Sequence, residues 1–128
     1  MTIGIGTDLV EIKRIEEKLQ KNNGFIAMVF SNYEIQYCQS MRLPAQHFAA
    51  RFAAKESLLK AVGKGLLVDI PLRNIAVCND ENGKPYFNFD TETHAIISKE
   101  IGTLQWVAHL SLSHTQSIDS AFVILSTI

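Results

Sequence analysis

Apolar residues recur along this chain with two periods, and the changes of period mark its elements. Over Ile3 to Thr7, β-branched residues alternate with glycine: Ile3, Ile5 and Thr7 point one way, and Gly4, Gly6 and Asp8 the other. That is the period of a strand, and its bare glycine face admits a helix or a ligand closely. From about Leu9 to Lys21 the period is helical, with Ile12, Ile15 and Leu19 on the buried stripe and Asn22-Asn23-Gly24 as the stop. Ser31 and Glu34 have the spacing of a capping box and open a helix through Cys38. Pro44 suits the first turn of a long helix that Gly63 and Gly65 end around an exposed Lys64.

The second half returns to the strand period. Ile75 to Cys78 and Tyr86 to Phe89 flank Asp80-Glu81-Asn82-Gly83-Lys84-Pro85, a hairpin signal. Asp90 or Thr91 caps a helix ending near Gly102, and strands over Trp106 to Ser113 and Ser120 to Thr127 close the chain. The order predicts one α+β domain over residues 1–128, with a mostly antiparallel sheet packed against a long helix and shorter helices.

Composition narrows the possible partners. Twelve basic and thirteen acidic side chains nearly cancel, which argues against a nucleic-acid or anionic-membrane footprint. No signal peptide and no run long enough to span a bilayer is read, and Cys38 and Cys78 match no metal or redox spacing. A reducing cytoplasm is the expected setting.

The candidate chemistry sits on the long helix. Glu56 falls between Phe48, Phe52 and Leu59 on the apolar seam, where an ionised carboxylate needs a cation. Lys60, one turn on, is one candidate, and a metal ion is another. Asp8 is a second carboxylate, although Asp8-Leu9-Val10-Glu11 also reads as a capping box for the first helix. Two carboxylates with phosphate oxygens and water make a usual shell for Mg²⁺. Arg14, Lys18 and Lys21 form a basic stripe, either a solvated face or a docking surface for an acidic protein. His114, among hydroxyls at a strand end, is a candidate ligand contact. His109 reads as structural, and His47 and His94 as surface residues.

Four blocks carry a resemblance. Gly4-Ile5-Gly6-Thr7-Asp8-Leu9-Val10-Glu11-Ile12, Arg51-Phe52-Ala53-Ala54-Lys55-Glu56 with Lys60, Asn82-Gly83-Lys84-Pro85 and Ser113-His114-Thr115 resemble the bacterial holo-acyl-carrier-protein synthases, single-domain 4′-phosphopantetheinyl transferases. The resemblance spans nearly the whole chain in family order. It implies Mg²⁺-dependent transfer of the phosphopantetheinyl arm from coenzyme A to a serine of apo acyl carrier protein, in support of fatty acid biosynthesis. Adenosine 3′,5′-bisphosphate would leave. It implies that Asp8 and Glu56 hold Mg²⁺ and that Lys60 completes the catalytic set against the phosphates. Arg51, Pro85, His114 and Thr115 would surround the nucleotide end of coenzyme A, with Gly63 and Lys64 beside the phosphates. Arg14, Lys18, Lys21 and Phe25 would meet the carrier protein, and the enzyme would be a homotrimer with sites between subunits.

Phosphoryl-type transfer asks for positioning and charge neutralisation, which this set supplies. The serine proton would pass to Glu56 or to a metal-bound water. Two departures bear on binding: Met28 stands where relatives commonly carry arginine, and Lys64 interrupts what is often a Gly-Thr-Gly turn. Lys64 either meets a coenzyme A phosphate or points to water. Two other classes fit a chain of this size, a non-catalytic coenzyme A or carrier-binding module and a small thioesterase or dehydratase.

Overall fold

The N-terminal alternation makes one long strand, β1 (Thr2–Glu11), in a computed structural model that describes residues 1–21, 23–63 and 70–128. Gly4, Gly6, Asp8 and Val10 take the inner face, while Ile5, Thr7, Leu9 and Glu11 are exposed on the other. Helix α1 (Ile12–Gln20) starts only after Glu11, whose side chain caps nothing. The capping box at Asp8 is therefore not formed. The last strand, β5 (Ile118–Thr127), runs antiparallel to β1 with Asp8 opposite Ala121, and this ladder keeps the backbone extended through Glu11. Long-range pairing here overrides a local cap.

A short helix absent from the sequence reading, α2 (Phe25–Val29), precedes α3 (Asn32–Gln39). Helix α3 opens on the expected box: Ser31 Oγ accepts from the Glu34 N–H at 3.2 Å, and Glu34 Oε1 from the Ser31 N–H at 2.8 Å. Helix α4 (Pro44–Val62) carries Pro44 in its first turn and crosses the inner face of the sheet. The glycine face of β1 meets it directly. A Cβ at Gly4 would collide with the carbonyl of Ala61, and one at Gly6 with that of Ser57. Gly63 ends α4 with a positive φ of 93°, while Asn22, Lys64 and Gly65 of the expected stops lie outside the described residues.

A 3₁₀ turn (Leu72–Asn74) leads into the hairpin of β2 (Ile75–Asn79) and β3 (Pro85–Phe89). Gly83 supplies the positive φ of its turn, and Asp80 Oδ1 accepts from the Asn82 and Lys84 N–H groups. Asp90 caps α5 (Thr91–Ile101), and β4 (Trp106–His114) completes a three-stranded antiparallel sheet in the order β1-β5-β4. Phe30, Phe48, Leu58, Ile75, Val77, Ile97, Val123 and Leu125 fill the core around α4. The α+β class and the antiparallel pairing are as expected.

Three histidines depart from expectation. His94 is half-buried, stacked on Trp106 at 4.7 Å between ring centroids, because Trp106 Nε1–H and His94 Nδ1 share Ser98 Oγ. His47 is half-buried against the Tyr37 ring. His109 lies exposed on the outer face of β4. Among the described residues, no helix is long and apolar enough to cross a membrane.

Candidate active site

Three of the residues singled out by sequence converge where α4 crosses β1. Asp8 faces inward from the strand, and Glu56 and Lys60 lie one turn apart on the helix. Lys60 Nζ donates to Asp8 Oδ1 at 3.0 Å and to the Thr7 carbonyl at 3.1 Å. The Glu56–Lys60 ion pair that the helical spacing suggested is not formed, because the strand offers Lys60 two acceptors at once. That contact is half open to water, with side-chain exposures of 56% and 17%, so its attraction is partly screened.

Glu56 is left half-buried beside Asp8. Burial first, then the Asp8 charge, pushes its carboxyl above the usual range, with Lys60 opposing. A half-buried carboxylate beside a second one is short of positive charge, and a hard divalent cation between them would relieve it. Among the described residues, no set of three His, Cys, Asp or Glu gathers to cage an ion. The donors therefore fit a Mg²⁺ that takes most of its shell from substrate oxygens and water.

Asp8 and Glu56 open onto a cavity of about 180 Å³ that Leu9, Arg14, Lys18 and Phe52 also line. The basic stripe of α1 thus borders the carboxylates instead of forming a remote surface. Lys18 Nζ stands 5.3 Å from the centre of the Phe25 ring, and Lys21 is exposed beyond the cavity. Phe25 is half-buried against Phe30 and Phe52, so only part of it is presented outward.

The other expected contacts gather elsewhere. Arg51 and Glu56 are five residues apart on α4, so their side chains leave the helix about 140° apart. Arg51 is buried over the Tyr37 ring, 4.3 Å from its centre, and donates to Asn79 Oδ1, whose residue pairs with Pro85 across the hairpin. His47 links this group to His114: burial lowers its basicity, and the charges of Arg51 and His114 lower it further. His114 and Thr115 line a second cavity of about 770 Å³ with Ile12, Glu16, Leu43 and Pro44. One chain therefore holds two clusters, Asp8–Glu56–Lys60 with Arg14 and Lys18, and Arg51–Pro85 with His114 and Thr115. Gly63 ends α4 one turn beyond Lys60, and Lys64 lies outside the described residues.

Sequence reasoning passed over Lys55. It is fully buried, donating to Glu34 Oε1 at 2.8 Å and to the Leu72 and Ile75 carbonyls at 2.9 and 2.8 Å. Burial drives its ammonium toward neutrality, and Glu34 opposes this. Its signal was available: Lys55 shares a helical face with Phe48 and Leu58, where a cation requires a carboxylate.

Residues 4–115 match the family model of the 4′-phosphopantetheinyl transferase superfamily. A holo-[acyl-carrier-protein] synthase of Syntrophus aciditrophicus (strain SB) is 46% identical over 126 residues, 98% of this chain and 96% of that protein. The crystal structure of the holo-[acyl-carrier-protein] synthase from Neisseria meningitidis is 32% identical, with a TM-score of 0.85 over 99% of this chain and 100% of that one. The holo-(acyl-carrier-protein) synthase from Bacillus anthracis str. Ames, in complex with CoA (3′,5′-ADP), is 31% identical, with a TM-score of 0.81 over 100% and 99%. The chain belongs to the holo-[acyl-carrier-protein] synthase family, enzymes of the 4′-phosphopantetheinyl transferase superfamily.

Proposed function

We propose that this enzyme transfers the 4′-phosphopantetheine arm of coenzyme A to a serine of apo acyl carrier protein, releasing adenosine 3′,5′-bisphosphate. The convergence of Asp8, Glu56 and Lys60 at the mouth of a cleft bordered by Arg14 and Lys18 carries this reading. The serine oxygen forms a bond to the phosphorus beside the pantetheine, and the bond from that phosphorus to the leaving nucleotide oxygen breaks. Asp8 and Glu56 would hold Mg²⁺, which when bound supplies charge neutralisation at the pyrophosphate. Lys60, drawn forward by Asp8 and the Thr7 carbonyl, adds a second positive charge beside the leaving phosphate. A Glu56 carboxylate committed to that cation would be a weak base, so the serine proton would pass to solvent.

Arg14, Lys18 and Lys21 face an acidic helix of the carrier, with Phe25 and the exposed Met28 as apolar contacts. Arg51, Pro85, His114 and Thr115 contact the nucleotide end of coenzyme A, with Gly63 and Lys64 near its phosphates. The angular separation of the two clusters on α4 supports a homotrimer in which one subunit's Asp8 cluster faces another's Arg51–His114 cluster. The free thiols Cys38 and Cys78 suit a cytoplasmic enzyme, and holo carrier protein would serve fatty acid biosynthesis.

The deciding experiment incubates the protein with coenzyme A, Mg²⁺ and apo acyl carrier protein and weighs the carrier by intact mass spectrometry, with an EDTA control. One phosphopantetheinyl arm gained only with metal is the expected result. No gain on two different carriers by a folded protein would overturn the reading in favour of a non-catalytic binding module.

A further inference from the structure

Arg51 is a cation shut inside the chain. It is 2% exposed, and among the described residues no carboxylate pairs with it. A buried guanidinium is costly unless its hydrogens find acceptors. Its face lies on the Tyr37 ring of α3, Nη1–H donates to the His47 carbonyl at 3.4 Å, and Nη2–H donates to Asn79 Oδ1. Nε–H finds no acceptor among the described residues, which leaves the group resting on these contacts.

Asn79 carries that contact onward. Its Nδ2–H donates to the Gly83 carbonyl at 3.0 Å, in the turn between β2 and β3. A guanidinium can only donate and a carbonyl can only accept, so a single orientation of the amide satisfies both neighbours. One side chain thus joins α4 to the tip of the hairpin.

The turn does not need Asn79 in order to close. The Asp80 N–H donates to the Lys84 carbonyl and the Gly83 N–H to the Asp80 carbonyl, both at 2.9 Å. Asp80 Oδ1 accepts from Asn82 and Lys84 as well. What Asn79 adds is a fixed place for the turn relative to Arg51. Pro85 leaves that turn as the ladder partner of Asn79, so the same amide sets its distance from the guanidinium.

We propose that Asn79 is a positioning residue for the nucleotide end of coenzyme A, bridging Arg51 of α4 to the Gly83 carbonyl so that Arg51 and Pro85 meet the ligand as one rigid unit. The role toward coenzyme A rests on the reading of Arg51 and Pro85 as contacts of that ligand; the bridge does not.

Two measurements separate these claims. In ¹H–¹⁵N spectra of the full wild-type chain, assigned through Arg51→Lys and Asn79→Ala, the Arg51 Nη hydrogens should be slow to rotate. The Asn79 side-chain amide should be slow to exchange with solvent. In Asn79→Ala the Arg51 Nη signals should average. In transfer assays, Asn79→Ala should raise KM for coenzyme A about five-fold, more than it lowers kcat. It should add nothing in an Arg51→Lys background, where the guanidinium fork is already lost. Freely rotating Nη groups in the wild type would overturn the proposal, whether or not the alanine variant folds well. An unchanged KM in folded Asn79→Ala, or the same rise in the Arg51→Lys background, would also overturn it. A restrained Arg51 in a chain with no transfer activity would uphold the bridge and strike down the coenzyme A reading alone.

Discussion

Burial raises the carboxyls of Glu56 and Asp119, and the two have different neighbours. Glu56 has Asp8 beside it and an open cleft in front, so its excess of negative charge is available to a cation. Asp119 is closed off, and its native carboxyl is raised from 3.8 to about 6. The native state then keeps a proton that the unfolded chain has released, so stability falls as pH rises from about 4 to about 6 and levels off above. The loss has an upper bound of about 3 kcal/mol. Urea denaturation across that range should show a shallower slope in Asp119→Asn than in the wild type, the raised Glu56 carboxyl contributing what remains; parallel profiles would mean that Asp119 does not titrate in the native state. Glu56 was legible in the sequence because it interrupts an apolar helical seam. Asp119 was not, since Ser117-Ile118-Asp119-Ser120 looks like a polar strand end, and only pairing with β1 buries it.

At the scale of elements, Lys55 and Glu34 join what the sequence leaves apart. Glu34 caps α3, accepts from the Val77 N–H of β2 at 3.0 Å and pairs with Lys55 of α4, whose remaining protons reach Leu72 and Ile75. Lys55→Met would leave Glu34 buried without its cation and should cost about 3–5 kcal/mol, whereas adding Glu34→Gln should recover part of that loss. Chemical denaturation of the three variants measures both; an additive double variant would show that the two groups do not act as a pair. Gly6→Val should also destabilise, because its Cβ would meet the Ser57 carbonyl and push α4 off β1. A drop in Tm with a matching loss of transfer activity is the expected outcome, since that contact sets Glu56 beside Asp8. The glycine face, the α3 box, the hairpin and α5 could all be read from local pattern. The start of α1 could not, because the β5 partner that extends β1 through Glu11 lies more than a hundred residues further along the chain.

For the whole molecule, the sheet has one face under α4 and another that a single chain does not cover. Leu9 is 71% and Phe122 46% exposed on that outer face, together with Ile5. A strand face of this kind, combined with two clusters of candidate residues directed away from one another on α4, fits the proposed assembly in which copies complete each other's sites. The sequence does not show the two clusters as separate, because each is complete in its own local pattern and only the helix geometry sets them apart. Phe122→Asp should convert the assembly to a monomer in sedimentation velocity. It should also abolish transfer, although Asp8, Glu56 and Lys60 are untouched. A mixing experiment is sharper. Glu56→Gln and His114→Ala homo-oligomers should each be severely impaired. After dissociation and reassembly together, an interface that draws Glu56 from one variant and His114 from the other has both residues intact. Activity should therefore return to a sizeable fraction of wild type. If the mixture stays as impaired as its parents while mass analysis shows mixed oligomers, each chain builds its site alone, and the interfacial arrangement is wrong.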